Sequence, residues 1–316
     1  MQRYLHRIDE FQKHRPYVAF PFGVVKKFGD DQGGNLAALI AYYGFLSLFP
    51  LLLVMFTVLG FVLHGHPGLQ EDLRTSALAD FPIIGDQISR NVTSVRGSGI
   101  GLAIGIIGTF WGGLGIANAA QNAMNRIWDV PITARPGFFP RIARSLAMIA
   151  TIGVGILATT LLSGLGSALG DLGVGLRILA FVVSLGLNIV LFVVAFRVST
   201  ARDVAWRDLV PGAIFAAAGW EVLQVLGGFY VSRTLQGMTQ TYGMFAIVLG
   251  LLAWIFLQAQ VVVYAAEINV VRRNRLWPRS LAPPPVTSAD LRVYDEHARA
   301  EARTPVSTAS AEDPRL

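Results

Sequence analysis

Apolar residues in this chain come in long blocks, not at the spacing of a half-buried helix or strand. The blocks cover about residues 36–63, 99–118, 146–169, 176–196, 209–230 and 243–268, and each is long enough to cross bilayer hydrocarbon as a helix. The last is the clearest: from Gly243 to Ile268 only Gln258, Gln260 and Glu267 are strongly polar. The pattern predicts an all-α polytopic membrane protein with six transmembrane helices. Residues 36–273 form its membrane domain, 1–35 a polar and interfacial N-terminal segment, and 274–316 a tail.

Local features refine this outline. In residues 16–31, Phe20, Phe22, Val25 and Phe28 alternate with Lys26 and Lys27, which suits an interfacial helix or a juxtamembrane linker. No secretory signal peptide is visible, because the first apolar block is too long for an h-region. Pro50 removes one backbone bond from the first span and predicts a kink near Leu46, with Ser47 placed to satisfy the freed backbone. The 64–98 loop carries Leu69, Leu73, Leu78 and Phe81 and predicts short amphipathic helices outside the membrane. His64 and His66 within it lack an obvious third metal ligand. The second span has glycines at 99, 101, 105, 108, 112, 113 and 115, a composition for close helix packing. After Pro283, Pro284 and Pro285 the chain loses apolar periodicity, so the tail is expected to be disordered.

Composition agrees with the pattern: 53% of residues are apolar, 15% are charged, and cysteine is absent, which excludes disulfides and thiolate chemistry. The formal net charge of +6 matters less than its placement. Alternate segments between the six blocks divide lysine and arginine 21 to 5. The positive-inside rule therefore puts both termini in the cytoplasm and the 64–98 loop outside.

Candidate chemistry lies in polar residues within apolar surroundings. Glu221 and Gln224 share one face of the fifth span with Gly228. Gln260, Tyr264 and Glu267 share a face of the sixth, and Asn118, Asn122, Asn125 and Asp129 form a stripe continuing the second. Two readings follow: the faces converge on a polar cavity open to the cytoplasm, or they form a static interhelical hydrogen-bond network. No phosphate loop, zinc-spaced histidine cluster or nucleophile elbow is present, so no catalytic residue, metal or cofactor is expected.

Three blocks in order resemble the YihY/BrkB family of bacterial inner-membrane proteins. They are AALIAYYGFLSLFPLLL at 37–53, NAMNRIWDV at 122–130, and PGA…WE…FY…YG…W…AAEIN from Pro211 to Asn269. The resemblance covers roughly 36–273 and implies a six-span integral protein of the inner membrane. Family members have been called ribonuclease BN or a serum-resistance virulence factor, and transport of ions or lipids has been suggested for them. The expected function is translocation of a solute, ion or lipid without ATP hydrolysis. A non-transporting envelope scaffold is the alternative and a membrane-associated ribonuclease the third reading. The expected partners are the lipid bilayer and the transported solute or lipid, with a homo-oligomer left open and no nucleic acid.

Overall fold

The computed structural model describes residues 9–63, 99–168, 174–229, 244–281 and 284–302. The 64–98 loop, residues 230–243 and residues 303–316 of the tail lie outside them. Among the described residues the longer elements are all helices. In chain order they are α1 (Pro16–Asp30), α2 (Gly33–Leu63), α3 (Gly99–Ile127), α4 (Phe138–Ala168), α5 (Val174–Ser199), α6 (Trp206–Phe229), α7 (Met244–Asn274) and α8 (Ser288–Glu301). A short 3-10 turn, Ile132–Ala134, links α3 to α4.

Most helices extend past their apolar blocks into polar sequence. α3 runs on to Ile127, α4 begins at Phe138, and α7 reaches Asn274. Local chemistry sets several ends. Pro16 opens α1 at N1, where a missing N–H costs nothing. α3 ends in a Schellman turn: Val130 N–H donates to Asn125 O at 2.9 Å and Asp129 N–H to Arg126 O at 3.0 Å. Asp129 takes the left-handed position of that turn, with φ 48°.

Among the described residues, four helices hold stretches long and apolar enough to cross a membrane: Gly33–Leu51, Phe181–Ser199, Trp206–Gly227 and Val248–Asn274. α2 continues unbroken through Pro50. Ser47 Oγ donates to Gly44 O at 2.8 Å, so its hydroxyl serves a different carbonyl from the Leu46 one that Pro50 leaves undonated.

The chain divides into two compact units, Tyr42–Ile116 and Met1–Ala41 with Ala117–Leu316. Within the first, the glycine stripe does what its composition implies. A Cβ added to Gly108, Gly112 or Gly115 would lie 2.9, 2.7 or 2.6 Å from Pro50, Ser47 or Tyr43, respectively. Three glycines at i, i+4 and i+7 thus face three α2 residues at the same spacing.

In the second unit α6 packs between α5 and α7, α4 lies against α5, and α1 lies against α7. The core joins Val24 and Ala37 to Met124, Ile127 and Trp128, to Leu209, Ala213 and Ala216, and to Val263, Val270 and Val271. One motif of the third resembling block has a direct cause here. Gly212 N–H donates to Asn269 Oδ1 at 2.7 Å, and a Cβ on Gly212 would overlap the Ala265 carbonyl oxygen.

The tail departs from expectation. Residues 288–301 form α8, not disordered chain. Its apolar burial is small, limited to Ala289, Val293 and Ala300. What holds it is polar: Thr287 and Asp290 close a reciprocal capping box, and Asp290 also receives Lys26 Nζ at 2.8 Å, Arg279 Nε at 2.6 Å and Ser280 N–H at 3.0 Å. Five donors on one buried carboxylate do the work that apolar periodicity does elsewhere. That carboxylate stays well below the usual range: burial alone would raise it, but Lys26, Arg279 and the Thr287 and Ser280 backbone N–H groups outweigh burial.

Candidate functional site

Residues 19, 23, 24 and 27 form the buried face of α1, and the last of them is a lysine. A lysine in such a stripe needs partners of opposite charge. Lys27 Nζ lies 2.5 Å from Asp31 Oδ2 and 3.4 Å from Asp129 Oδ2, and donates to Ile127 O at 3.4 Å. His297 of α8 closes the group from the other side, with Nε2 at 2.8 Å from Asp31 Oδ1 and 3.3 Å from Asp129 Oδ1. Glu267, fully buried on α7, brings a third carboxyl to Lys27.

Electrostatics binds the cluster together. Burial alone would lower the Lys27 pKa, but the carboxylates of Glu267, Asp31 and Asp129 outweigh it and hold the ammonium above its ordinary value. Asp31 is held below the ordinary range, since His297 and Lys27 outweigh its burial. Asp129 is pushed up to about 6, chiefly by burial, with Lys27 opposing. Its positive φ is tolerated by aspartate but favours glycine, so the local backbone gives no reason for this side chain. The reason is the carboxylate that it presents to Lys27 and His297.

Asp31, Asp129 and His297 could in spacing ligate a metal. However, the Lys27 ammonium already lies against both aspartates, and a cation there would compete with it.

The residues singled out from sequence separate into groups. Glu267 joins the ionic cluster, and Tyr264, one turn earlier, stacks on Phe28 at 4.0 Å between centroids. Gln260 is half-buried farther along α7. Glu221 accepts from Asn188 Nδ2 at 3.0 Å, an α5–α6 hydrogen bond, while Gln224 is exposed. Asn125 Oδ1 accepts from Ala201 N–H at 2.8 Å, and Asn118 Oδ1 lies 3.5 Å from Ser145 Oγ, which also accepts from Gln121 Nε2 at 2.8 Å. Asn122 is exposed. Most of the asparagine stripe thus ties α3 to α4 and to the turn after α5, and the Glu221 pair stands apart from it.

Sequence reasoning missed Lys27, Asp31 and His297. The available signals were a lysine in an otherwise apolar helix face and the Thr287-x-x-Asp290 capping spacing, which announces a helix carrying His297.

The cluster makes the docking of α8 depend on pH. His297 is raised above its ordinary value because the Asp31 carboxylate lies 2.8 Å from its Nε2, which outweighs burial and the Lys27 charge; Asp129 adds to the rise. A raised histidine contributes stability that is complete below about pH 6.5 and is lost as pH rises through the docked value. Hydrogen exchange of residues 288–301, corrected for intrinsic rate, is expected to accelerate as pH climbs from about 6.5 to 9. Protection that does not vary with pH would contradict this.

Together the long apolar helices and the buried polar pairs define an all-α integral membrane protein. A family model described as Virulence factor BrkB matches residues 24–288, and the chain belongs to that family. Among relatives, the ribonuclease-like protein YfkH of Bacillus subtilis is 26% identical over 77% of this chain and 91% of its own length. A UPF0761 membrane protein of Pseudomonas paraeruginosa is 26% identical over 88% of this chain and 69% of its own. The inner membrane protein YhjD of Escherichia coli is 22% identical over 80% and 81%. No solved structure matches the chain. The family match ends where α8 begins, so His297 lies beyond it.

Proposed function

We propose that this chain is a six-span protein of the bacterial inner membrane, with both termini in the cytoplasm. In this reading it moves an ion, solute or lipid without hydrolysing ATP. The 21 to 5 division of basic residues supports the topology. The Asn188–Glu221 pair carries the transport reading. Glu221 lies within the apolar Trp206–Gly227 stretch, half-buried, with Val222, Val225 and Leu226 exposed around it. An acidic group there costs about 3 kcal/mol on insertion scales, and such residues normally face a polar path or a protein partner.

The test is flux in proteoliposomes, with ions and fluorescent lipids compared against empty vesicles. Glu221→Gln keeps the shape and the Asn188 contact but removes the ionisable group, and flux is expected to fall about tenfold, equivalent to roughly 1.4 kcal/mol in the barrier. Wild-type flux in the variant would remove Glu221 from the mechanism. No flux from the wild-type protein would favour the envelope scaffold, a reading to which the amide pairs of Asn118, Gln121 and Asn125 lend support.

We favour a non-enzymatic role. The Asp31–Asp129–His297 group has the Lys27 ammonium lying against both of its aspartates, where it competes with any metal ion. The word ribonuclease in the name of YfkH is a statement about that protein. RNA degradation assayed on the same preparation tests the enzymatic alternative directly.

A further inference from the structure

A cavity of about 300 Å³ opens beside the ionic cluster, lined by Arg126, Asp129, Ile132, Arg135, His297, Ala300 and Glu301. Its walls are the end of α3, the 3-10 turn and the last turns of α8. From the arginines and the membrane surface beside them, we propose that this cavity binds a phosphate group, supplied by the headgroup of an anionic lipid.

The charges lining it are unevenly satisfied. Asp129 is engaged by Lys27 and His297, and Glu301 reaches Arg126 at 3.4 Å with both side chains substantially exposed. Arg135 donates through Nε to Val130 O at 3.2 Å, and among the described residues no carboxylate pairs with it. Its charge is opposed by burial and by the nearby Arg126 and Arg141, which is the environment of an arginine set to receive an anion. The Nε bond fixes the guanidinium plane and leaves its other donors to meet two oxygens of a phosphate at once.

The lipid source follows from what lies next to the cavity. Phe138 and Phe139, three and four residues beyond Arg135, are 70% and 80% exposed and pack edge-on to each other. Exposed phenylalanines flanked by Arg135, Arg141 and Arg144 suit the headgroup–acyl boundary of an anionic bilayer, with the rings in the acyl layer and the guanidinium groups at the phosphates. The volume exceeds that of phosphate alone and leaves room for the glycerol of a phosphoglycerol headgroup. The arginine wall lies within the family match, and the wall that α8 supplies lies past its end at residue 288.

Native mass spectrometry of the full-length protein in detergent tests the proposal. Short-chain phosphatidylglycerol, phosphatidic acid and phosphatidylcholine would be titrated, with inorganic phosphate and glycerol phosphate as competitors. The anionic lipids are expected to bind at least about tenfold more tightly than phosphatidylcholine, and Arg135→Gln to lose about tenfold in affinity. Glu301→Gln removes the carboxylate that competes for Arg126, at an exposed position that leaves the fold alone, and is expected to tighten binding. Displacement by inorganic phosphate would assign the affinity to the phosphate itself, and its failure to compete would assign it to the intact lipid. Equal binding of phosphatidylcholine, or anionic-lipid binding unchanged by both substitutions, would overturn the proposal.

Discussion

Lys27→Met is expected to destabilise the protein more than any other single change in the ionic cluster. Methionine matches the length of the lysine stem but leaves Asp31, Asp129 and Glu267 crowded together with only His297 to offset them. Removing one member of a buried ion pair costs about 3–5 kcal/mol, because the remaining charge stays desolvated. Thermal unfolding of the detergent-solubilised protein measures the loss. The deficit is expected to be smaller at pH 5.5 than at pH 8. Asp129 already holds its proton up to about 6 in the intact cluster, and without Lys27 it would hold it higher still. Adding Glu267→Gln removes one of the stranded carboxyls and is expected to restore part of the stability, the coupling that a double-mutant cycle detects. A Lys27→Met protein that melts with the wild type would show that the cluster does not hold this end of the bundle together.

Gly212→Ala comes second, and its value lies in its sign. Helix propensity predicts that alanine in place of a helical glycine stabilises by about 0.5–1 kcal/mol. The α6–α7 contact predicts the reverse. The new methyl group would overlap the Ala265 carbonyl oxygen and sit 2.6 Å from Asn269 Nδ2, pushing apart the helices that the Gly212–Asn269 hydrogen bond joins. Overpacking plus a lost hydrogen bond amounts to about 2–4 kcal/mol. Gly186 of α5, where an added Cβ meets nothing within 4 Å, is the control, and alanine there is expected to be neutral or stabilising. Equal melting temperatures for the two variants would mean that α6 and α7 have room to separate at no cost.

Much of the architecture was open to reading before any fold was known. Hydrophobic blocks longer than 20 residues have few soluble uses, so the membrane assignment followed from length and apolarity alone. The glycine-rich second block announced close packing, and Gly108, Gly112 and Gly115 pack against α2 at helical spacing. The Pro211–Asn269 pattern could be recognised as a motif, but its cause, a backbone-to-amide bond across two helices, could not. The polar candidates fared unevenly. Glu221 and Asn188, 33 residues apart on neighbouring helices, make a contact that helical periodicity within either one cannot reveal. The tail was misread because the test applied to it was apolar periodicity, whereas Asp290 anchors it with donors from three separate stretches of chain.

Periodicity and composition are properties of short windows, and they dictate what short windows can do: form helices, cross hydrocarbon, and turn at Pro16 or Asp129. The ionic cluster draws Lys27 with Asp31, Asp129, Glu267 and His297 from four stretches of the chain, and the arginine-lined cavity needs Arg126 and Arg135 to meet the end of α8. Glu267, Asp129 and Lys27 stand out in their own windows as polar groups beside apolar residues, but no window names their partners. Only folding removes them from water together, and burial is what turns a scattered set of ordinary charges into partners that cannot be separated cheaply.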